Sequence, residues 1–178
     1  IEIVQNLSSK VVEEIFSQMD TEDVVDVFER STVDEAQDLL EIINKSTKLD
    51  INKRLAYPKD SVGRLMSEEV AKISTGLTVK EALGELKTLH TDVEDIVYVY
   101  SVDKNNSLSG VLSFREIVFA DQDQLIEDVM ITNPIYINPT ADQEEAARLI
   151  KQYELLALPV VDKKNKLIGQ ATISTALD

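Results

Sequence analysis

Carboxylates gather at the start of one predicted amphipathic helix, in the run Asp142-Gln143-Glu144-Glu145. Magnesium binds hard oxygen ligands, keeps several of its waters and is commonly held by one or two carboxylates rather than by a dedicated cage. Asp142 and Glu144 are therefore candidate ligands of a divalent cation. The same residues fit an ordinary helix start, because Asp is a favoured N-cap and acids in a first turn interact favourably with the helix dipole. On spacing alone, the capping interpretation is favoured.

Residues for catalysis are scarce. His90 is the only histidine, cysteine is absent, and no glycine-rich phosphate loop occurs. Ser113 or Ser174 would need a neighbouring base to act as a nucleophile, and the sequence offers none. The sequence therefore predicts a protein that is not an enzyme.

Composition indicates a folded, acidic chain. The 178 residues are 43% hydrophobic and carry a formal net charge of -15, which argues against nucleic acid or anionic lipid as a partner. The longest apolar runs, Ile96–Tyr100 and Leu155–Val161, are far shorter than the roughly 20 residues that span a bilayer. No signal peptide is recognisable, and because the chain starts at Ile1 without Met we expect a fragment of a longer protein.

A repeat of 12 residues organises the first part of the chain. Equivalent apolar positions recur in three successive units, and each unit opens with Ser, Thr or Asp, which are good helix caps: Val12, Val24 and Ala36; Phe16, Phe28 and Leu40. Such short helices cannot bury their apolar faces alone, so they should stack into a small array. Acidic residues recur beside them at one phase, at Glu14, Asp26 and Asp38, where a solvated face is favoured over a binding site.

A second, longer repeat follows Pro58, which blocks helix continuation. Residues 62–66 align with 126–130 at an offset of 64, and later strands align at an offset of 59, so the first copy carries about five extra residues near His90–Glu94. Thr78-x-x-Glu81 and Asp142-x-x-Glu145 both predict capping boxes that open helices. Each copy predicts the order strand, helix, strand, hairpin turn, strand, helix.

This double pattern resembles the CBS (cystathionine-β-synthase-type) module, most closely at Leu158-Pro159-Val160-Val161-Asp162 and Leu167-Ile168-Gly169. Preceded by a 12-residue helical array and by the run from Tyr57 to Met66, it is similar to the cytoplasmic region of MgtE magnesium channels. The resemblance implies a mixed α and β fold, with a short all-α helical-array domain followed by a tandem CBS pair of two βαββα modules. We predict domains at residues 1–56, 57–122 and 123–178.

The same resemblance implies metal ligands. It supports Asp142 and Glu144 and adds Glu154, which lies near the far end of the same helix and would reach a shared ion only across a dimer or from a neighbouring surface. The family also has acids at the end of the second module, where this chain has Thr175 and where Asp178 would supply the charge.

CBS modules often bind adenine nucleotides through a Gly-x-x-Ser/Thr-x-x-Asp pattern. The first module has Gly110 followed by Ser113, Arg115 and Glu116, with Glu in place of Asp, and is a candidate for weak binding of ATP or another adenine nucleotide. The second module has no acid in its corresponding stretch, Gly169 to Thr175.

By resemblance, the chain is expected to be a Mg²⁺-sensing regulatory region on the cytoplasmic face of the cell membrane. It would form a homodimer through its CBS modules and close an attached transmembrane pore when Mg²⁺ is high. The alternative is a CBS adaptor that senses adenine nucleotides and has no metal role.

Overall fold

The structure, a computed structural model, describes residues 8–19, 21–43, 45–89 and 96–173. The chain divides into two compact units, residues 1–60 and residues 61–178. The predicted extra residues near His90–Glu94 and the C-terminal candidate Asp178 lie outside the described residues.

The first unit is a stack of helices that keeps the 12-residue period. Helices α1 (Ser9–Gln18), α2 (Thr21–Arg30), α3 (Val33–Ile42) and α4 (Lys45–Leu55) each begin 12 residues after the previous one. Their buried side chains form one core, in which the rings of Phe16 and Phe28 meet edge to face at 6.2 Å; the core comprises Val12, Phe16, Val24, Phe28, Leu39, Ile43 and Ile51. The repeated positions of the sequence therefore face one another in this unit.

The first half of the second unit begins with a short helix, α5 (Val62–Leu65). Strand β1 (Ala71–Ser74), helix α6 (Val79–Leu86), strands β2 (Tyr98–Val102) and β3 (Leu108–Ser113), and helix α7 (Phe114–Phe119) follow. The second half contains α8 (Ile126–Val129), β4 (Ile131–Thr132), α9 (Gln143–Gln152), β5 (Ala157–Val161) and β6 (Leu167–Thr172); its β4 pairs with β3 and does not take the place of β1. The predicted strand–helix–strand–strand–helix order is thus present in the first copy.

The described strands of the second unit form two β-sheets. One has the order β1-β2-β3-β4, in which β1 runs parallel to β2 and the other pairs are antiparallel. The other joins β5 and β6 antiparallel. The first strand expected in the second copy is reduced to a single parallel bridge between Ile137 and Val160. That bridge is equivalent to the pairing of Ile73 with Ser101, so the internal repeat is retained in three dimensions.

The two hairpin turns of the repeat lie back to back. Leu108 donates its N–H to the Asn165 carbonyl at 3.3 Å, and Leu167 donates to the Asn106 carbonyl at 3.0 Å. Both asparagines have positive φ, 63° and 61°, a conformation that Asn tolerates better than most residues. Behind the turns, the buried residues Tyr100, Val161 and Leu167 form a small cluster drawn from both halves.

Candidate functional site

Asp142 lies where the sequence predicts it, at the N-cap of α9. Its Oδ1 accepts a hydrogen bond of 2.8 Å from the Glu144 N–H, which satisfies one of the donors that a helix start leaves open. This contact stands in place of the predicted capping box with Glu145. Asp142 and Glu144 are both exposed.

Free oxygen donors remain at this helix start. The second carboxylate oxygen of Asp142 and the whole carboxylate of Glu144 make no hydrogen bond or ion pair with the part of the chain that the structure describes. Carboxylates with open oxygens and access to water suit a magnesium ion that retains most of its hydration shell. The positive end of the helix dipole lies beneath them, however, and lowers their attraction for a cation.

Glu154 lies beyond the opposite end of α9. It is exposed and adopts a positive φ of 51° just after the helix. The ten helical residues between the two ends correspond to about 15 Å at 1.5 Å per residue, so Glu154 and Asp142 do not reach one ion within one chain. Among the described ranges, no group of three or more His, Cys, Asp or Glu residues could hold a metal ion. A shared ion would need carboxylates from a second surface.

The backbone around Asp142 is fixed on its N-terminal side. Asn138 accepts hydrogen bonds at its Oδ1 from the Thr140 N–H at 3.1 Å and hydroxyl at 2.8 Å. The carbonyls of Pro139 and Ala141 accept from Gly63 and Val62 at 2.8 and 2.9 Å. Sequence reasoning missed this contact; the alignment of residues 62–66 with 126–130 indicated only an internal repeat.

The nucleotide candidates of the first module lie at the start of α7, where they form a helix cap. Ser113 donates its N–H to Glu116 Oε2 at 2.7 Å, and Ser113 Oγ accepts from the Glu116 N–H at 3.1 Å. The Arg115 guanidinium lies 6.0 Å from the centre of the exposed Phe119 ring. The Glu116 carboxylate is therefore engaged with the backbone, and a ribose would have to compete with that bond.

Two aspartates of the hairpin turns have perturbed acidity. Asp103 Oδ1 accepts from the Asn105 and Ser107 N–H groups at 2.8 Å each, and Asp162 Oδ1 accepts from Lys164 and Lys166 at 2.7 and 2.9 Å. These backbone hydrogen bonds, led by Ser107 for Asp103 and by Lys166 for Asp162, hold the pKa of both carboxyls below the usual value. Their role is to fix the turns.

Comparison with known proteins covers both units. The CBS domain family matches residues 62–123 and 126–178, and the family described as the MgtE intracellular N domain matches residues 1–60. Curated relatives named magnesium transporter MgtE include those of Thermus thermophilus, 35% identical over 80% of this chain, and Bacillus subtilis, 33% identical over 91%. The chain spans about a third of their length, 32% and 36% respectively.

Solved structures agree. The crystal structure of the cytosolic domain of the Mg²⁺ channel MgtE in complex with ATP matches with a TM-score of 0.82 and 30% identity, over 99% of this chain and 77% of that one. CBSX2 in complex with AMP matches with a TM-score of 0.53 and 27% identity, over 66% of this chain and 93% of that one. No helix in the described ranges is long and apolar enough to cross a membrane. The chain belongs to the MgtE family and comprises an MgtE intracellular N domain followed by a pair of CBS domains.

Proposed function

We propose that this chain is the cytosolic Mg²⁺-sensing regulatory region of a magnesium channel or transporter, on the cytoplasmic face of the cell membrane. High cytosolic Mg²⁺ compacts the region and closes a pore that belongs to the same protein. The observation that carries this proposal is the likeness, over 99% of the chain, to the cytosolic domain of a protein named a Mg²⁺ channel. No catalytic role is proposed.

The charge of the chain supports a cation-dependent shape. The net charge of -15 is spread over both parts, with 13 acids and 6 bases in residues 1–56 and 20 acids and 12 bases in the rest. Two like charges about 6 Å apart repel by roughly 3 kcal/mol at an effective dielectric of about 20. Magnesium between facing carboxylates turns that repulsion into a bridge.

Several weak sites are needed for such a switch. One site at ten times its dissociation constant contributes about 1.4 kcal/mol. Moving an equilibrium from 1:99 to 99:1 takes about 5.5 kcal/mol, or about four such sites. This arrangement suits ligands that lie on separate surfaces, because such ligands hold Mg²⁺ together only when the surfaces approach each other. The proposed ligands are Asp142, Glu144, Glu154 and Asp178.

A second copy of the chain is the proposed source of the missing surface. Helix α7 exposes two large apolar side chains, Val118 at 49% and Phe119 at 81%, and exposed apolar patches mark interaction sites. A homodimer through the CBS modules would cover them. It would also bring Glu154 of one protomer close to carboxylates of the other protomer. Within one chain, Glu154 and Asp142 are too far apart to share an ion.

The proposal is tested by small-angle X-ray scattering of the purified chain during a magnesium titration, with sodium holding the ionic strength constant. We expect the radius of gyration to fall over millimolar Mg²⁺ and the forward scattering to give the mass of a dimer. The variant carrying Asp142→Asn, Glu144→Gln and Glu154→Gln should need several-fold more Mg²⁺ for the same change.

A charge-matched variant serves as the control. Glu69→Gln, Asp123→Asn and Asp128→Asn remove the same three charges from other exposed positions of the second unit and should leave the magnesium midpoint close to that of the native chain. A radius that stays constant across the titration would refute magnesium sensing. Equal shifts in both variants would show that net charge, rather than the proposed ligands, sets the response.

Binding of an adenine nucleotide is the second candidate function. It is favoured by the ATP in the MgtE cytosolic-domain structure and the AMP in the CBSX2 structure, both over 25% identical to this chain. The proposed contacts are Ser113, Arg115 and Glu116 of the first module. Arg115 is exposed at the start of α7 and would contact phosphate groups.

Isothermal calorimetry with ATP, ADP and AMP tests this candidate. Arg115→Ala should weaken ATP binding by about tenfold, the loss of a charge-assisted hydrogen bond of about 1.4 kcal/mol. Arg148→Ala, on the exposed face of α9, is the matched control and should bind as the native chain does. Micromolar nucleotide binding together with a magnesium-insensitive radius would favour the nucleotide-sensing adaptor over the magnesium sensor.

A further inference from the structure

Residues 61–67, the lead-in segment, join the helical unit to the CBS pair. In sequence they precede the first module, but the structure bonds them to the second. Val62 and Gly63 donate their N–H groups to the loop that ends at Asp142, and Ser61 forms an antiparallel bridge with Asp142 itself. The N-terminal end of the lead-in segment therefore depends on the position of the Asp142 loop.

The C-terminal end of the lead-in segment is also held by the second module. Ser67 and Gln170 of β6 exchange two backbone hydrogen bonds of 2.9 Å each. Met66 is 1% exposed and lies against Gly169, where a Cβ would come within 3.0 Å of its sulfur. The whole segment thus lies along the second module.

The internal repeat provides the counterpart in the first module. There Ile126 donates to the Leu77 carbonyl at 2.9 Å, and Leu125 bridges Thr78, which is the N-cap of α6. At the offset of 64 residues these contacts coincide with those of Val62 and Ser61. Each module therefore holds the segment that leads into the other module, next to the N-cap of its own first helix.

These contacts form a mechanical connection because the first N–H groups of a helix have no partners inside the helix. Helix α5 is only four residues long, and two of its first amides take their acceptors from the Asp142 loop. A ligand that shifts or stiffens that loop must change the hydrogen bonds of the lead-in segment. The Thr78 loop instead bonds to Leu125 and Ile126, in the segment that leads into the second module.

We infer that the second CBS module, and not the first, controls the segment through which the helical unit is attached. A cation held at Asp142 acts on that unit through Ser61, Val62 and Gly63. The identity of the ligand rests on the proposed function, whereas the route from the Asp142 loop to the lead-in segment rests on the hydrogen bonds alone.

Amide hydrogen exchange of the whole chain, followed by NMR without added magnesium, tests the route. Asp142→Ala removes the cap of α9 and should raise exchange at the Val62 and Gly63 amides about fivefold, while exchange at Ile126 stays unchanged. Thr78→Ala is the matched variant in the first module and should raise exchange at Ile126 alone. If Asp142→Ala fails to fold, Asp142→Gly serves in its place, because Gly is tolerated at an N-cap. Equal effects of the two variants on all three amides would overturn the inference.

Magnesium chloride, added after calorimetry has established binding, tests the coupling. Exchange at Val62 and Gly63 should slow at least twofold, with no change at Ile126. Asp142→Asn keeps a capping side chain but removes the charge, so it should retain native exchange rates without magnesium and lose the magnesium effect. Binding heat without any change at Val62 and Gly63 would overturn the inference and leave magnesium sensing intact. Absence of binding heat would remove the proposed ligand, and the cap variants would still decide the route.

Discussion

One aspartate fixes the backbone of each hairpin turn, and the two modules contact each other through these turns. Asp103 and Asp162 each accept two backbone hydrogen bonds from their own turn, and the two turns bond to each other through Leu108 and Leu167. These bonds favour the charged carboxylates and lower both pKa values. Because the unfolded chain lacks the bonds, each aspartate ties the stability of the fold to pH.

The expected effect appears on the acid side. A carboxyl whose pKa is lower in the folded state stabilises the fold above its unfolded pKa of about 3.9 and loses that contribution as the pH falls through the folded value. Asp162→Asn should therefore lower the melting temperature at pH 7, and its difference from the native chain should shrink as the pH falls below about 4. Thermal unfolding followed by circular dichroism from pH 7 to pH 2 measures this. A difference between Asp162→Asn and the native chain that stays constant from pH 7 to pH 2 would contradict the prediction.

Side-chain roles at this scale were predictable only where spacing determines them. Thr78 and Glu81 form the capping box that their spacing predicts. Ser113 and Glu116 have the same three-residue spacing and form the same box, which the nucleotide-binding interpretation overlooked. At α9 the same spacing did not give a capping box, because Asp142 caps the helix through the Glu144 N–H instead. The metal ligands stay a prediction, since their geometry depends on a second surface.

Helices and strands were more predictable, because periodic burial determines them. The 12-residue repeat predicted three helices, and the structure shows that α4 continues them at the same 12-residue spacing. Helix α4 was missed because it is largely polar, with Ile51 as its fully buried apolar residue. The missing first strand of the second copy has another cause. Pro134 and Pro139 flank that stretch and remove backbone donors that a longer ladder would need.

Substitution of glycines by alanine measures how closely the lead-in segment packs against β6. A Cβ at Gly169 would lie 2.6 Å from the Ser67 carbonyl oxygen, whereas at Gly110 the nearest atoms all belong to the Met130 side chain. Gly169→Ala should cost about 3 kcal/mol, because backbone must move, and Gly110→Ala about 1 kcal/mol, because a methionine can change rotamer. Urea unfolding measures both.

Gly84 supplies the control for these two changes. It lies on the exposed side of α6 with nothing within 4 Å of an added Cβ, so Gly84→Ala should stabilise the chain by about 0.5–1 kcal/mol. Equal costs at Gly169 and Gly110 would show that the lead-in segment yields as easily as a side chain.

At the scale of the whole second unit, the two modules share a small buried cluster. Tyr100 of β2 is fully buried and donates its hydroxyl to Gln170 Oε1 of β6 at 3.0 Å. Burial raises the pKa of this hydroxyl above its usual range. The folded pair of modules therefore holds the Tyr100 side chain as the neutral phenol. Ionisation of this phenol favours the unfolded chain.

This contact predicts an alkaline limit to stability. An unfolded tyrosine ionises near pH 10, whereas the buried one keeps its proton, so Tyr100 stabilises the fold below about pH 10 and loses that contribution as the pH rises further. Tyr100→Phe should cost about 1 kcal/mol at pH 8 and should lose less stability than the native chain between pH 10 and pH 11.5. Tyr136→Phe, whose ring is 54% exposed, is the control. Urea unfolding at both pH values gives the comparison, and parallel losses in the native and Tyr100→Phe chains would refute it.

The crossed attachment of residues 61–67 has a consequence for dissection of the molecule. A chain cut between Asp121 and Gln122 yields two pieces, each of which carries a segment that pairs with a strand of the other: β4 pairs with β3, and Ser67 bridges β6. Neither half of the second unit should be stable by itself, yet mixing the two pieces should regenerate that unit without a covalent link. The pair is accordingly a natural substrate for split-protein complementation.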